Sequence, residues 1–338
     1  MAGRAPRPLR LATRGSPLAL AQARLVGEVL VGVGASSVEL VIVRTEGDRR
    51  ADVALEVIGG QGVFVKEVQQ AVLEGRADAA VHSAKDLPPR TPEGLELAAV
   101  PERADPRDAL VGVALGALAS GAVVATGSPR RRAQLANLRP DLVFVSLRGN
   151  MAARLGHAFD GTADAVVVAA AALDRLGWSD GPVDRLPVAA CLPQVGQGTL
   201  AVECRADDAD TAALLHSIDD EALHRALDAE RAFLAALGAG CMVPAAAFAE
   251  PVHDDGPLRL TAMMASGDGH VVVRATLEGE DAGRLGGELA RRLVVGRGAS
   301  TFEGMEALAV PAAPPVPAAH AMPAAQEVPA AQAVQAGP

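Results

Sequence analysis

Residues 123–138 read VVATGSPRRRAQLANL: a short β-branched strand, then Gly127, Ser128 and Pro129, then nine residues of helical composition. Serine at an N-cap with proline at N1 starts a helix, because the serine oxygen takes up a free backbone N–H and proline has none to lose. The same construction occurs earlier, where LRLAT (Leu9 to Thr13) runs into Gly15, Ser16 and Pro17 and then an Ala/Leu-rich helix. The parallel continues downstream. VELVIVRTEGD (Val38 to Asp48) and DLVFVSLRGN (Asp141 to Asn150) are both strands closing on an arginine-bearing polar turn, and GRADAAVHSAKDL (Gly75 to Leu87) and GTADAVVVAAAAL (Gly161 to Leu173) form a further matched pair of strands. Strands alternating with helices predict parallel α/β sheets. The correspondence predicts two similar α/β domains, with chance likeness among alanine-rich strands as the alternative. Helix N-termini at the C-terminal ends of strands carry positive dipole ends and are where open α/β sheets bind ligands, so two such domains facing each other make an anion-binding cleft.

Beyond Glu221 the pattern changes. EALHRALDAERAFLAAL puts Leu223, Ala226, Leu227, Leu234 and Leu237 near one helical face before Gly238, and AAAFAE, LRLTAMMAS and HVVVRATLE read as strands before a closing helix over residues 281–295. A small α+β domain is expected there. The segment from 308 to 338 is Pro, Ala, Gln and Val without period or aromatics, a composition that reads as a disordered tail.

Composition narrows the function. A chain of 338 residues with 50% hydrophobic and 21% charged residues supports two or three globular domains. Six Phe, one Trp, no Tyr and a net charge of −10 exclude the stacking platforms and basic footprint of a nucleic-acid binder. Three cysteines, Cys191, Cys204 and Cys241, are too sparse for a disulfide framework or a zinc site, and the seven histidines have no close metal-ligand spacing, so no metal is expected. No secretory h-region precedes Thr13, and the uncharged run 109–129 is broken by glycines and reads as two strands and a connector, so a cytoplasmic protein away from membranes is expected.

The 31 basic residues include only two lysines, Lys66 and Lys85, which leaves 31 − 2 = 29 arginines. HSAKDLPP crowds His82, Ser83, Lys85 and Asp86 at the end of a strand, either an active-site edge or a solvated turn with a Lys–Asp pair. GGQGVFVKE sets Lys66 in the first turn of a helix, where the dipole opposes a cation and an incoming anion would offset it; the other reading is a surface lysine. Arg130, Arg131 and Arg132 also stand in a first turn, and Arg14, Arg148 and Arg154 follow predicted strands. Arginine binds carboxylates bidentately, so this set implies a ligand with several carboxylates. Cys204 alternates with Leu200 and Val202, and Cys191 adjoins Leu192, so both read as buried hydrophobes. Cys241 lies in a Gly-rich loop, either a nucleophile or covalent attachment point or an incidental thiol. GQGTLA (196–201) matches a dinucleotide pattern, but a strand-like AVEC follows it and the required helix does not.

Taken in order, TRGSPLALAQA, EGD, GGQGVFVKE, ADAAVHSAKDLP, ERADPRDA, TGSPRRRAQL, SLRGNMAARL, LPQVGQGTLAVECR and GAGCMVP closely resemble the porphobilinogen deaminase (hydroxymethylbilane synthase) family over about Leu9 to Gly304. The resemblance implies two α/β domains like a periplasmic binding protein type II pair plus a small α+β C-terminal domain. It places domain 1 at 9–104 with 201–220, domain 2 at 105–200 and domain 3 at 221–307. It implies a transferase of tetrapyrrole biosynthesis, a monomer that condenses four porphobilinogen molecules head to tail, releases ammonia and frees hydroxymethylbilane by hydrolysis. One dipyrromethane cofactor per chain would be joined by a thioether to Cys241. Carried over by motif, Asp86 is the catalytic acid. Ser83, Lys85, Asp86, Thr126, Ser128, Arg130, Arg131, Arg148, Gly149 and Gln197 would hold the cofactor, and Arg14, Ser16, Lys66, Arg148 and Arg154 the substrate. The sequence departs from the family pattern at Gln61, Gly127, Pro129, Ala239, Ala245 and Ala246, losing a cation at Gln61 and a hydroxyl at Gly127. The competing reading, a non-catalytic two-domain binder of a polycarboxylate, explains the cleft and the arginines but not the loop cysteine.

Overall fold

The computed structural model describes residues 8–49, 62–238, 244–253 and 256–295. Cys241, Gln61, Ala239 and the tail at 308–338 lie outside the described residues. The first sheet is built from β1 (Leu9–Arg14), β2 (Val38–Val43), β3 (Ala79–Ser83), β4 (Leu95–Ala99) and β10 (Leu200–Arg205), in the order β2-β1-β3-β10-β4. The second has β5 (Asp108–Gly112), β6 (Val123–Ala125), β7 (Val143–Val145), β8 (Ala165–Ala169) and β9 (Val183–Arg185), in the order β7-β6-β8-β5-β9. Position for position the two orders agree, as the repeated strand–turn–helix segments require.

The sheets are mixed, which corrects the expectation of parallel ones. In each, the fourth strand alone runs against its neighbours: β10 is antiparallel to β3 and β4, and β5 to β8 and β9. Both are strands delivered by the chain as it crosses between domains. A crossing chain enters from the opposite end of the sheet, and the local run of β-branched residues carries no mark of that direction. GTADAVVVAAAAL also differs from the single strand expected: β8 stops at Ala169 and a helix begins at Ala170.

The helices follow their sequence punctuation. α1 (Pro17–Gly32) starts at Ser16, whose side chain accepts from the Ala19 N–H, and packs Ala23, Val26 and Leu30 into the first core with Leu11, Ala79 and Val202. Short α2 (Glu46–Arg49) precedes α3 (Lys66–Leu73), which buries Val68, Gln69, Ala71 and Val72. α4 (Pro129–Leu138) starts at Ser128 in the same way as α1, with Pro129 at its first position. α5 (Met151–Gly156), α6 (Ala170–Arg175) and α7 (Ala209–His216) complete the two α/β layers. The second core gathers Ala109, Val111, Val166 and Leu173 on one side of its sheet and Leu110, Val124, Leu135 and Val167 on the other, the period-2 split of a sheet covered on both faces.

The small third unit has α8 (Glu221–Leu237), the antiparallel meander β11 (Ala245–Pro251), β12 (Leu258–Ala265) and β13 (Val272–Gly279), and α9 (Ala282–Val294). Leu285, Leu289 and Leu293 of α9 recur at a spacing of four and meet Phe233 and Leu237 of α8 over Leu260 and Ala262. Arg274 of β13 ties this unit to the second α/β layer, donating to Gln134 Oε1 (2.9 Å) and to the carbonyls of Ala189 and Ala190. No described helix is long and apolar enough to cross a membrane.

Candidate active site

The cleft forms where β1 and β3 end. Arg14 and Ser16 come from the turn after β1, Gln22 from α1, Phe64 from the segment before α3, and Ser83, Lys85 and Asp86 from the end of β3 and the tight turn 84–86 that follows it. That turn is held from behind. A Cβ on Gly196 would come within 2.9 Å of the backbone of Ala84 and Lys85, and Gln194 donates to the Lys85 carbonyl (3.3 Å). Only glycine lets the chain between the domains press this closely on the turn. Buried Glu203 of β10 pairs with His82 (3.2 Å), which also borders the cleft, and accepts from Gln69 of α3 (2.8 Å).

The side chains of the first α/β layer are arranged for an anion. Arg14 donates to Asp48 at 2.5 Å and lies 4.1 Å from the Phe64 ring centre, an ion pair and a cation–π contact that fix its guanidinium. Asp48 also accepts from Thr45, and these bonds hold it below the usual carboxylate range against the cost of its partial burial. Ser83 and Gln22 exchange hydrogen bonds at 2.8 and 3.1 Å. Asp86, by contrast, has no hydrogen bond or ion pair from any described residue, so its carboxylate faces the cleft unengaged.

The second layer contributes cations. Arg154 donates to the Gly149 carbonyl at 2.8 Å, and desolvation with the nearby charges of Arg131 and Arg148 pushes its pKa down, while Asp86 opposes that shift. Lys85 is lowered to about 8, chiefly by burial, with Arg131 and Arg154 adding to the fall and Asp86 and Asp108 resisting it. Cations crowded until they weaken one another make a site completed by anions.

Several expected ligand residues are already engaged within the protein. Arg130 is buried and gives Nη1 to Asp108 (2.7 Å) and to the Leu192 carbonyl (2.6 Å). Gln197 is fully buried and donates to Asp108 (2.9 Å) and the Pro106 carbonyl (2.8 Å). Buried Thr126 accepts from the Ser128 N–H, and the Ser128 and Ser16 hydroxyls cap α4 and α1. Lys66 is exposed at the first position of α3, apart from the residues lining the cleft described above. Arg14, Ser16, Ser83, Lys85 and Asp86 line the cleft, and Arg131, itself bound to Asp108, stands with Arg148 and Arg154 close enough for their charges to act on Lys85 or on one another. Reading the sequence singled out neither Gln22, Phe64 nor Asp108, although each stands inside a quoted motif. At Gly127 a Cβ would sit 2.5 Å from the Leu147 carbonyl oxygen, so the hydroxyl missing there could return only with a backbone shift.

Cys191 and Cys204 are fully buried, and burial pushes both thiols up to about 12. Neither is a usable thiolate near neutral pH. No group of three or more His, Cys, Asp or Glu residues able to hold a metal ion occurs among the described residues. The cleft suits an organic polyanion whose N–H groups meet the Asp86 carboxylate. A dipyrromethane with its acidic side chains has that chemistry, and the donors present fit it.

The family model described as "Porphobilinogen deaminase, dipyromethane cofactor binding domain" matches residues 9–213, and "Porphobilinogen deaminase, C-terminal domain" matches residues 225–294. The porphobilinogen deaminase of Syntrophus aciditrophicus (strain SB) is 44% identical over 304 residues, covering 88% of this chain and 99% of that protein. That of Nitratidesulfovibrio vulgaris (strain DSM 19637 / Miyazaki F) is 45% identical over 296 residues, 85% of this chain and 93% of its own. Among solved structures, an ancestral cationic amino acid solute binding protein overlaps 62% of this chain and 87% of itself at 13% identity, with a TM-score of 0.40, too loose a likeness to add to the topology.

Proposed function

The chain belongs to the porphobilinogen deaminase family, and from that premise we propose that it joins four porphobilinogen molecules head to tail and releases the linear tetrapyrrole by hydrolysis. The observation that carries the reading is the Asp86 carboxylate, bonded to no other described residue, in a cleft that Arg14 and Lys85 line and that the charges of Arg131, Arg148 and Arg154 reach. Arg14, Arg148, Arg154 and Ser16 anchor the carboxylates of the incoming substrate. Arg131, Arg148, Lys85 and Ser83 hold those of the cofactor, while Arg130, Gln197, Thr126, Ser128 and Gly149 shape the wall behind them. Lys66 meets anions approaching from solvent at the head of α3.

When bound, the dipyrromethane supplies the pyrrole carbon to which the first substrate is joined. Asp86 accepts from pyrrole N–H groups and stabilises the positive charge that grows as ammonia leaves. A carboxylate about 4 Å from that charge contributes about 4 kcal/mol at an effective dielectric of 20, about three decades in rate. Lys85, about 8 when the cleft holds only protein groups, is protonated in most molecules at pH 7 and strengthens its hold as carboxylates arrive. One cofactor per chain is tied by a thioether to Cys241. This is supported by the inert settings of the other two thiols and by the place of Cys241 in the sequence, four residues after the end of α8. We read the enzyme as a monomeric transferase of the cytoplasm.

The test is to incubate the full chain with porphobilinogen and to follow ammonia and the tetrapyrrole product. Turnover in the parent protein that collapses in Asp86→Asn supports the reading. Porphobilinogen that binds but is not consumed makes the protein a polycarboxylate binder.

A further inference from the structure

Asp108 opens β5, on the chain that has just crossed from the first α/β layer, and is fully buried. Four side chains converge on it. Arg130 Nη1 reaches Oδ2 at 2.7 Å, Arg131 Nε and Nη2 reach Oδ1 at 2.9 and 2.7 Å, Gln197 Nε2 reaches Oδ1 at 2.9 Å, and the Cys191 thiol donates to Oδ2 at 3.3 Å. The two guanidiniums hold this carboxylate well below the usual range in spite of its burial. Both arginines also brace on backbone, Arg130 on the Leu192 carbonyl at 2.6 Å and Arg131 on that of Val167 at 2.9 Å.

Stability alone is a poor account of this arrangement. Both arginines stand in the first turn of α4, where the helix dipole opposes cations, and a buried ion pair seldom recovers the cost of desolvating its members. Two cations set against one carboxylate leave a surplus positive charge. Arg131 uses three of its five N–H groups on Asp108 and Val167 and keeps two, and it acts electrostatically on Lys85 of the first layer and on Arg154 of its own.

We propose that Asp108 is a positioning residue: it acts through Arg130 and Arg131, locking Arg131 so that its remaining N–H groups meet a carboxylate of the bound cofactor. This rests on the reading of Arg131 as a cofactor anchor. Asp108 itself touches no ligand. A rigid fork loses less freedom when it binds than one that must first be ordered, so the gain is affinity through preorganisation.

The test compares how far bound dipyrromethane raises the melting temperature, as the difference between loaded and unloaded full-length chain, with loading read by mass under denaturing conditions. A merely structural residue lowers both melts equally and leaves the difference unchanged. Asp108→Asn is expected to cut that difference to less than half, or to give a folded chain that fails to load. Asp108→Asn with Arg130→Gln keeps the surplus of one positive charge but leaves Arg131 unlocked, and the same loss is expected there. An unchanged difference in either folded variant overturns the proposal, as does failure of both to fold while Arg131→Gln folds. Arg131→Gln also separates the two readings. If it keeps the full difference, the anchor reading fails; if it loses the difference while Asp108→Asn keeps it, only the role of Asp108 fails.

Discussion

The two halves of the cleft grow from the same turn and handle charge in opposite ways. In the first α/β layer, strand, Gly15-Ser16-Pro17 and helix present Arg14 beside half-exposed Asp48, and a second carboxylate, Asp86, makes no hydrogen bond or ion pair with the described residues. In the second, strand, Gly127-Ser128-Pro129 and helix turn Arg130 and Arg131 inward onto Asp108, which is wholly buried and wholly engaged. One topology therefore supplies an acid that can act on a ligand and, across from it, an acid that can act only on its neighbours. The difference lies in which strand brings the carboxylate: Asp86 follows a strand end that opens into the cleft, whereas Asp108 begins the antiparallel fourth strand at the centre of the domain.

That contrast predicts unequal consequences for like substitutions. Asp86→Asn should lower turnover about a thousandfold while thermal unfolding stays near that of the parent, since its carboxylate bonds no described residue. Comparable turnover in the variant would place the acid elsewhere. Arg130→Gln should cost about 3 kcal/mol in urea unfolding, because it strips a partner from a buried carboxylate. Arg14→Gln should cost about 1 kcal/mol or less, because water can replace the guanidinium at Asp48. Equal costs would remove the distinction between the halves.

Lys85 gives a graded test. The chain has only two lysines, so carbon-labelled lysine yields two side-chain signals. In protein without cofactor the Lys85 amine should titrate near 8, fall further in Asp86→Asn, and rise when a polycarboxylate binds. The sign for binding follows: below about pH 8 the amine is charged and holds anions, and affinity for a carboxylate declines as pH rises through that value. An Lys85 signal that does not titrate between 7 and 9 contradicts the crowding described here. The smallest effects belong to the shared turn itself. Ser16→Ala and Ser128→Ala should each cost about 1 kcal/mol in unfolding, alike to within a few tenths, since both remove one N-cap oxygen.

The repeated turns, the helix caps and the third unit were legible because each is written locally, in Ser-Pro pairs, in leucines four apart along α9 and in the alternation of β12. The cluster at Ser83, Lys85 and Asp86 and the arginines after the strands were legible as chemistry. What escaped is what depends on residues distant in sequence. The antiparallel strands β5 and β10 owe their direction to the path of the chain between domains. The AVVVAAAAL run passes from strand to helix at Ala170 without a Gly, Pro or capping residue to mark it. The inward turn of Arg130 and Arg131 depends on Asp108, 22 and 23 residues earlier in the chain.

The most direct test of a cleft built to grip a covalently held polycarboxylate is the intact mass of the native protein under denaturing conditions. The account predicts the 34.3 kDa chain plus one dipyrromethane, with the excess absent in Cys241→Ser. A native protein at its bare sequence mass that gains nothing and forms no product when given porphobilinogen would contradict it.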